Sequence, residues 1–131
     1  MGIDRRRIRS GSPYEPVIGF SRAVRVGQRV LVSGTGPIWP DGSCPDDARA
    51  QADRCFEIIG AALAEAGGSL GDVVRTRMYL VDRADADAVG ASHRRAVGEA
   101  APAATMILVA GFLDPRWRVE IEAEAVLATA T

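Results

Sequence analysis

Lysine is absent from this 131-residue chain, so all sixteen basic residues are arginine. Any cationic contact must therefore come from a planar guanidinium, which suits carboxylate or phosphate. There is a single histidine, too little for a metal-ligand cluster. The two cysteines, Cys44 and Cys55, do not make a disulfide framework, and Cys55 falls on the apolar side of a helical pattern and reads as core. The net charge is only -1, which points away from nucleic acid and membrane surfaces as partners. No apolar run approaches membrane-spanning length, and the first residues lack the apolar stretch of a signal peptide. The expectation is one reduced, cytoplasmic globular domain without a metal-ligand cluster.

What is present falls into alternating strand and helix patterns. Residues 1–16 hold Arg5, Arg6, Arg7 and Arg9 followed by Gly, Ser and Pro, and read as a flexible basic arm ahead of a domain at 17–131. Such an arm would contact phosphates without sequence specificity, but no aromatic platform accompanies it. "AVRVGQRVLVSG" reads as two strands hinged at Gly27-Gln28, and 35–43 as a Pro/Gly loop. From Asp46 the period changes to that of a helix: Ala52, Cys55, Phe56, Ile59, Ala62, Leu63 and Ala66 recur on one side. Asp46 or Asp47 can cap its start, and Gly67-Gly68 can end it. Residues 72–81 form a strand, and Asp85 to about Gly98 a second helix with a weaker stripe. Residues 105–113 make a nearly continuous apolar strand, and 118–127 a last strand. The order β-β-α-β-α-β-β predicts an α+β sheet with two helices on one face. Two helices cover only one face, so the apolar 105–113 strand predicts a second copy of the chain on the other.

The last strand carries the sharpest question. In "RVEIEAEAV", apolar and acidic residues alternate, so Glu120, Glu122 and Glu124 share one strand face. Like charges so placed repel one another. The face is either a wet surface or the setting for one carboxylate that does chemistry.

"VLVSGTGP", "GDVVRTRMYLVD" and "PAATMILVAGFLDPRWRVEIEAEAV", in this order and spacing, resemble the RidA/YjgF family of reactive-intermediate deaminases. The resemblance runs from about residue 17 to residue 127. It implies a chorismate-mutase-like fold and a homotrimer whose sheets face the threefold axis, with small-molecule clefts between neighbouring subunits. It also implies hydrolysis of enamines or imines with release of ammonia and without a cofactor. Carried over position by position, Ser33 matches the pocket serine and Glu120 the glutamate that activates water. Other positions depart from the pattern. Ala104 stands where active members have the arginine that grips the substrate carboxylate, and Met106 stands at the Cys position. Phe20 replaces a tyrosine and Gly90 an asparagine. The loop before the last strand is one residue longer and holds Arg116 and Trp117, with Arg118 next.

These departures set the alternatives. One is an imine hydrolase in which Glu120 works without the arginine clamp, so that activity on small aminoacrylate-type substrates is weak. Another is a small-ligand binder that kept the trimer and lost the chemistry. RNA binding or cleavage is the least favoured, since only the N-terminal arm is basic. Arg116 and Arg118 share parity with Glu120 and are candidates to replace the missing clamp. His93 lies on an apolar stripe and reads as a hydrogen-bonded core residue. Trp39 and Trp117 are expected to wall a pocket or pack at a subunit contact.

Overall fold

Asp47 starts the element on which the rest is assembled. In the computed structural model, which describes residues 4–129, the Asp47 carboxylate accepts a hydrogen bond from the Ala50 amide at 2.9 Å. This satisfies one of the donors that a helix start leaves free. The helix, α2, runs Ala48–Glu65. At its end the Gly68 amide reaches back to the Leu63 carbonyl while Gly67 takes a left-handed φ of 95°, the closing pattern that glycine permits. Every apolar position of the predicted stripe is buried.

The remaining elements are β1 (Arg5–Ile8), α1 (Tyr14–Ile18), β2 (Ala23–Val26), β3 (Arg29–Thr35), β4 (Val73–Leu80), α3 (Ala86–Val97), β5 (Ala103–Leu108) and β6 (Val119–Val126). They form one six-stranded sheet in the order β1-β2-β3-β6-β4-β5. Only β4 and β5 are parallel, and α3 is their crossover. Helices α2 and α3 pack together on one face. Val30 and Val32 of β3, Met78 and Leu80 of β4, and Val119, Ile121 and Ala123 of β6 are buried beneath them. Gly27, with φ 60°, makes the β2–β3 turn where a hairpin was expected. His93 is the structural residue foreseen: it hydrogen-bonds with Thr76 at 2.7 Å and packs edge-on to Phe56, and burial lowers its pKa.

Two expectations are corrected. The segment 1–16 is not a free arm over its described length, because Arg5–Ile8 pairs antiparallel with β2. Ile8 supplies the anchor, buried in the core, while Arg5, Arg6 and Arg7 stay exposed. Charge on an edge strand is a common guard against further pairing. The apolar run 105–113 is a strand only to Leu108, and it forms the sheet edge. Within one chain Ile107 and Leu108 are exposed, while Met106 is partly buried against the core. The face away from the helices is mixed: Arg75, Arg77, Tyr79 and the three glutamates of β6 lie beside Leu31 and Ile107.

Leu63, fully buried beneath the sheet, tests this packing: Leu63→Ala should cost about 2–5 kcal/mol in urea unfolding. Asp47→Ala removes the cap and should cost about 1 kcal/mol in the same measurement.

Candidate active site

The alternation in β6 places Glu120, Glu122 and Glu124 on the open face, and their partners then separate them. Glu124 lies 3.1 Å from Arg29 and 3.6 Å from Arg77. Glu122 lies 3.7 Å from Arg77 and accepts the Tyr79 hydroxyl. Among the described residues Glu120 has neither an ion pair nor a hydrogen-bond partner. Burial raises its pKa above the ordinary carboxylate range; the Arg22 cation pulls it back and Glu122 pushes it up again.

Glu120 is placed by a bulge in the neighbouring strand. Between Val32 and Thr35, β3 takes three steps while β6 takes two, from Ala123 to Ile121. The extra residue leaves Ser33 and Gly34 out of the ladder. The Glu120 carboxylate lies against Gly34, where a Cβ would meet its Oε1 at 2.6 Å. A side chain at position 34 would force the Glu120 carboxylate to move.

The bulge is pinned by Arg22. This residue is 4% exposed. Its Nη1 donates to the Gly34 carbonyl and to Thr35 Oγ1, both at 2.9 Å. Its Nε faces Glu15 of α1 at 3.9 Å, is buried, and has no hydrogen-bond partner. The group also lies over the Phe20 ring, 5.3 Å from its centroid, a cation–π contact. Glu15 is held in turn by the amide and hydroxyl of Ser10. Arg22 thus joins the N-terminal segment to the residue under Glu120.

Around Glu120 opens a cavity of about 440 Å³ whose lining includes Ser33, Phe20, Tyr14, Trp117 and Arg22. Ser33 donates its hydroxyl proton to the Ser21 carbonyl at 2.7 Å, which leaves its oxygen lone pairs able only to accept. Trp117 is buried against the bare Cα of Gly36 and stacks edge-on with Tyr14 at 5.8 Å. Its loop is held by Gln51 of α2, which donates to the Arg116 carbonyl at 3.1 Å and accepts from the Arg118 amide at 2.7 Å.

The fold therefore brings Glu120, Ser33 and Phe20 together. It does not bring the other candidates to that cavity within one chain. Ala104 and Met106 lie on β5 and Gly90 on α3. Arg116 is held by its own loop, 2.8 Å from Asp114 and 3.1 Å from the Gly42 carbonyl. Arg118 lies 2.7 Å from Asp46 and 3.1 Å from Asp85, which raises its pKa. Neither arginine lines the cavity. Sequence reasoning missed Arg22, Gly34, Gly36, Tyr14 and Gln51. Gln51 was detectable as a polar residue beside an apolar stripe, whereas nothing local marks Arg22 for burial. Among the described residues no cluster of side chains is arranged to hold a metal ion, and no helix is long and apolar enough to cross a membrane.

Comparison with known proteins identifies the family and agrees with the fold. The family model for endoribonuclease L-PSP matches residues 11–127. An uncharacterized protein of Streptomyces coelicolor is 40% identical over 121 residues, covering 92% of this chain and 90% of its own. The 2-iminobutanoate/2-iminopropanoate deaminase of Escherichia coli K12 is 32% identical over 111 residues, covering 82% of this chain and 86% of its own. Among solved structures, a Mycobacterium tuberculosis member of the YjgF/YER057c/UK114 family superposes with a TM-score of 0.87 at 40% identity, covering 95% of this chain and all of that one. With the family match running over nearly its whole length, the chain belongs to the endoribonuclease L-PSP family, the RidA/YjgF proteins.

Proposed function

We propose that this protein is a cytoplasmic hydrolase of small imines or enamines, with Glu120 as the general base. One observation carries the reading: of three glutamates on one strand face, two are neutralised by arginine and hydrogen bonding, while Glu120 alone stands unpaired in a cavity. A carboxylate with a raised pKa is a better proton acceptor from water near neutrality. Glu120 takes a proton from water as the oxygen bonds to the imine carbon and the C=N π pair moves to nitrogen. It returns that proton to nitrogen, giving a carbinolamine. It then carries the hydroxyl proton to the same nitrogen as the C=O bond forms and the C–N bond breaks with its electron pair on nitrogen, so imine and water become carbonyl compound and ammonia. No redox change occurs. The E. coli relative, named as an iminobutanoate/iminopropanoate deaminase, supports this reaction class.

The working unit we propose is a homotrimer with the ligand cleft between subunits. The open β5 edge supports this, as do the exposed Ile18 and Leu113, 59% and 70% accessible, at the cavity rim. Ala104, Met106 and Gly90 would reach a cleft only from a neighbouring chain. The alternative, a ligand binder without turnover, is favoured by Ala104, where an arginine clamp is missing. Ribonuclease action is disfavoured because the cavity holds Glu120 and Glu122, which repel phosphate.

Three outcomes test this. Light scattering at micromolar concentration should give three times the chain mass, and Ile107→Asp should lower it; a stable parent monomer would exclude the shared cleft. Glu120→Gln should reduce ammonia release by about 10²-fold or more while ligand binding persists. The acid limb of the pH–rate profile should lie above the ordinary carboxylate range, since Glu120 works only when ionised and its pKa is raised. Arg22→Met removes the opposing cation and should move that limb to higher pH, whereas Arg22→Lys should hold it near the parent.

A further inference from the structure

The cavity around Glu120 has an unusual charge inventory for a site that would hold a carboxylated imine. Its ionisable lining is Arg22, Glu120, Glu122 and Tyr14. Two carboxylates therefore face one guanidinium. That guanidinium is already committed, with Nη1 on Gly34 and Thr35 and Nε facing Glu15 behind it. The chain has no lysine. The nearby arginines are also engaged: Arg77 with Glu122 and Glu124, Arg116 with Asp114, and Arg118 with Asp46 and Asp85. Within one chain a ligand carboxylate would lie beside Glu120 with no free fork to receive it, since Arg77 already balances Glu122. A protonated imine would be drawn in. Glu120 would face its positive charge, with Glu122 also in the lining, and water addition begins at the carbon of that cation.

The rest of the lining concerns the body of the ligand. Tyr14, Ile18, Phe20, Ile38, Leu113 and Trp117 supply an apolar and aromatic wall. At about 440 Å³ the space lies within the range of sites for sizeable organic ligands, about 300–1,000 Å³.

We propose that this site takes an imine without a carboxylate, carrying an apolar or aromatic body, and binds it as the iminium cation. This rests on the hydrolytic reading above and narrows it. The reaction that supplies such a substrate is oxidation of a primary amine to its imine, rather than oxidation of an α-amino acid. One iminium cation and one water then give one aldehyde or ketone and one ammonium ion. The water oxygen bonds to the iminium carbon, the carbon–nitrogen bond breaks with its electron pair on nitrogen, and both water protons end on that nitrogen. Charge balances, and no other reactant is needed. The relatives named for 2-iminobutanoate and 2-iminopropanoate would differ from this chain in substrate charge and in size.

The test has a binding arm and a turnover arm on the intact protein. Calorimetry compares 2-phenylethylammonium with 3-phenylpropanoate, which match in body and differ in charge. We expect the cation to bind at least about thirtyfold tighter, the smaller end of what an unpaired charge in such a site costs. Glu122→Gln removes one carboxylate and should narrow that preference. Equal or tighter binding of the carboxylate, or a preference unchanged in Glu122→Gln, would overturn the proposal. The second arm generates imines in situ, from 2-phenylethylamine with an amine oxidase and from phenylalanine with an amino-acid oxidase. Protection from semicarbazone formation reports hydrolysis. Faster hydrolysis of the amine-derived imine supports the proposal. Faster hydrolysis of the 2-imino acid overturns it and leaves the hydrolytic reading standing. Hydrolysis of neither, with the cation still preferred in calorimetry, overturns the hydrolytic reading and leaves the ligand class standing.

Discussion

A single buried charge holds the site together. Taking a guanidinium out of water costs several kcal/mol unless its donors find acceptors. Arg22 meets that cost with the Gly34 carbonyl, the Thr35 hydroxyl, the Glu15 carboxylate nearby and the Phe20 ring beneath it. Those four contacts come from the β3 bulge, from α1 and from the segment between α1 and β2. The N-terminal segment is therefore bound to the site rather than trailing from it. The bulge, once fixed, puts Gly34 rather than a bulkier residue under Glu120. Position of the base and closure of the chain's N-terminal end follow from the same buried cation.

The second constraint is electrostatic sorting along β6. Three like charges spaced two residues apart would destabilise a strand if all were left unpaired. The structure resolves this with Arg29, Arg77 and Tyr79 around the two glutamates farther along the strand, Glu122 and Glu124. Glu120 is left with burial as the largest influence on its proton affinity. A structural lattice and a candidate base thus arise from one repeating pattern. The difference between them is made by which neighbouring strand position carries an arginine. Opposite Glu122 it is Arg77, and opposite Glu120 it is Tyr79, whose hydroxyl is turned to Glu122.

Apolar surface remains uncovered in one chain. Ile18, Ile107, Leu108 and Leu113 are exposed, and two of them edge the cavity. Scattered apolar residues are normal on a protein surface. An open β-edge with apolar residues beside a ligand cavity is a more specific arrangement. In the proposed trimer the same contact that covers the edge would also close the site around the ligand and keep out bulk water beyond the molecule that reacts.

The sequence by itself determined the two long helices, the central strands and the faces they bury. Period 3.6 in 48–66 and period 2 in 119–126 place apolar side chains on one side regardless of what they pack against, and the structure keeps these sides. The caps Asp47 and Gly67 are local chemistry, legible without a partner. Glu120, Ser33 and Phe20 were legible as site candidates from motif position, and the fold gathers them. Other features depended on contacts between distant segments, which no local pattern encodes. The segment 5–8 became a strand because β2 offered an open edge and the core had room for Ile8. Residues 109–113 left the strand after Leu108, although their apolar character continues. Arg116 and Arg118 shared parity with Glu120 but were drawn to Asp114, Asp46 and Asp85, carboxylates that only the tertiary fold sets beside them. Arg22 was buried for the complementary reason. An arginine is surface-seeking by its own chemistry, and only the assembled carbonyl, hydroxyl and carboxylate around it made the interior the lower-energy place.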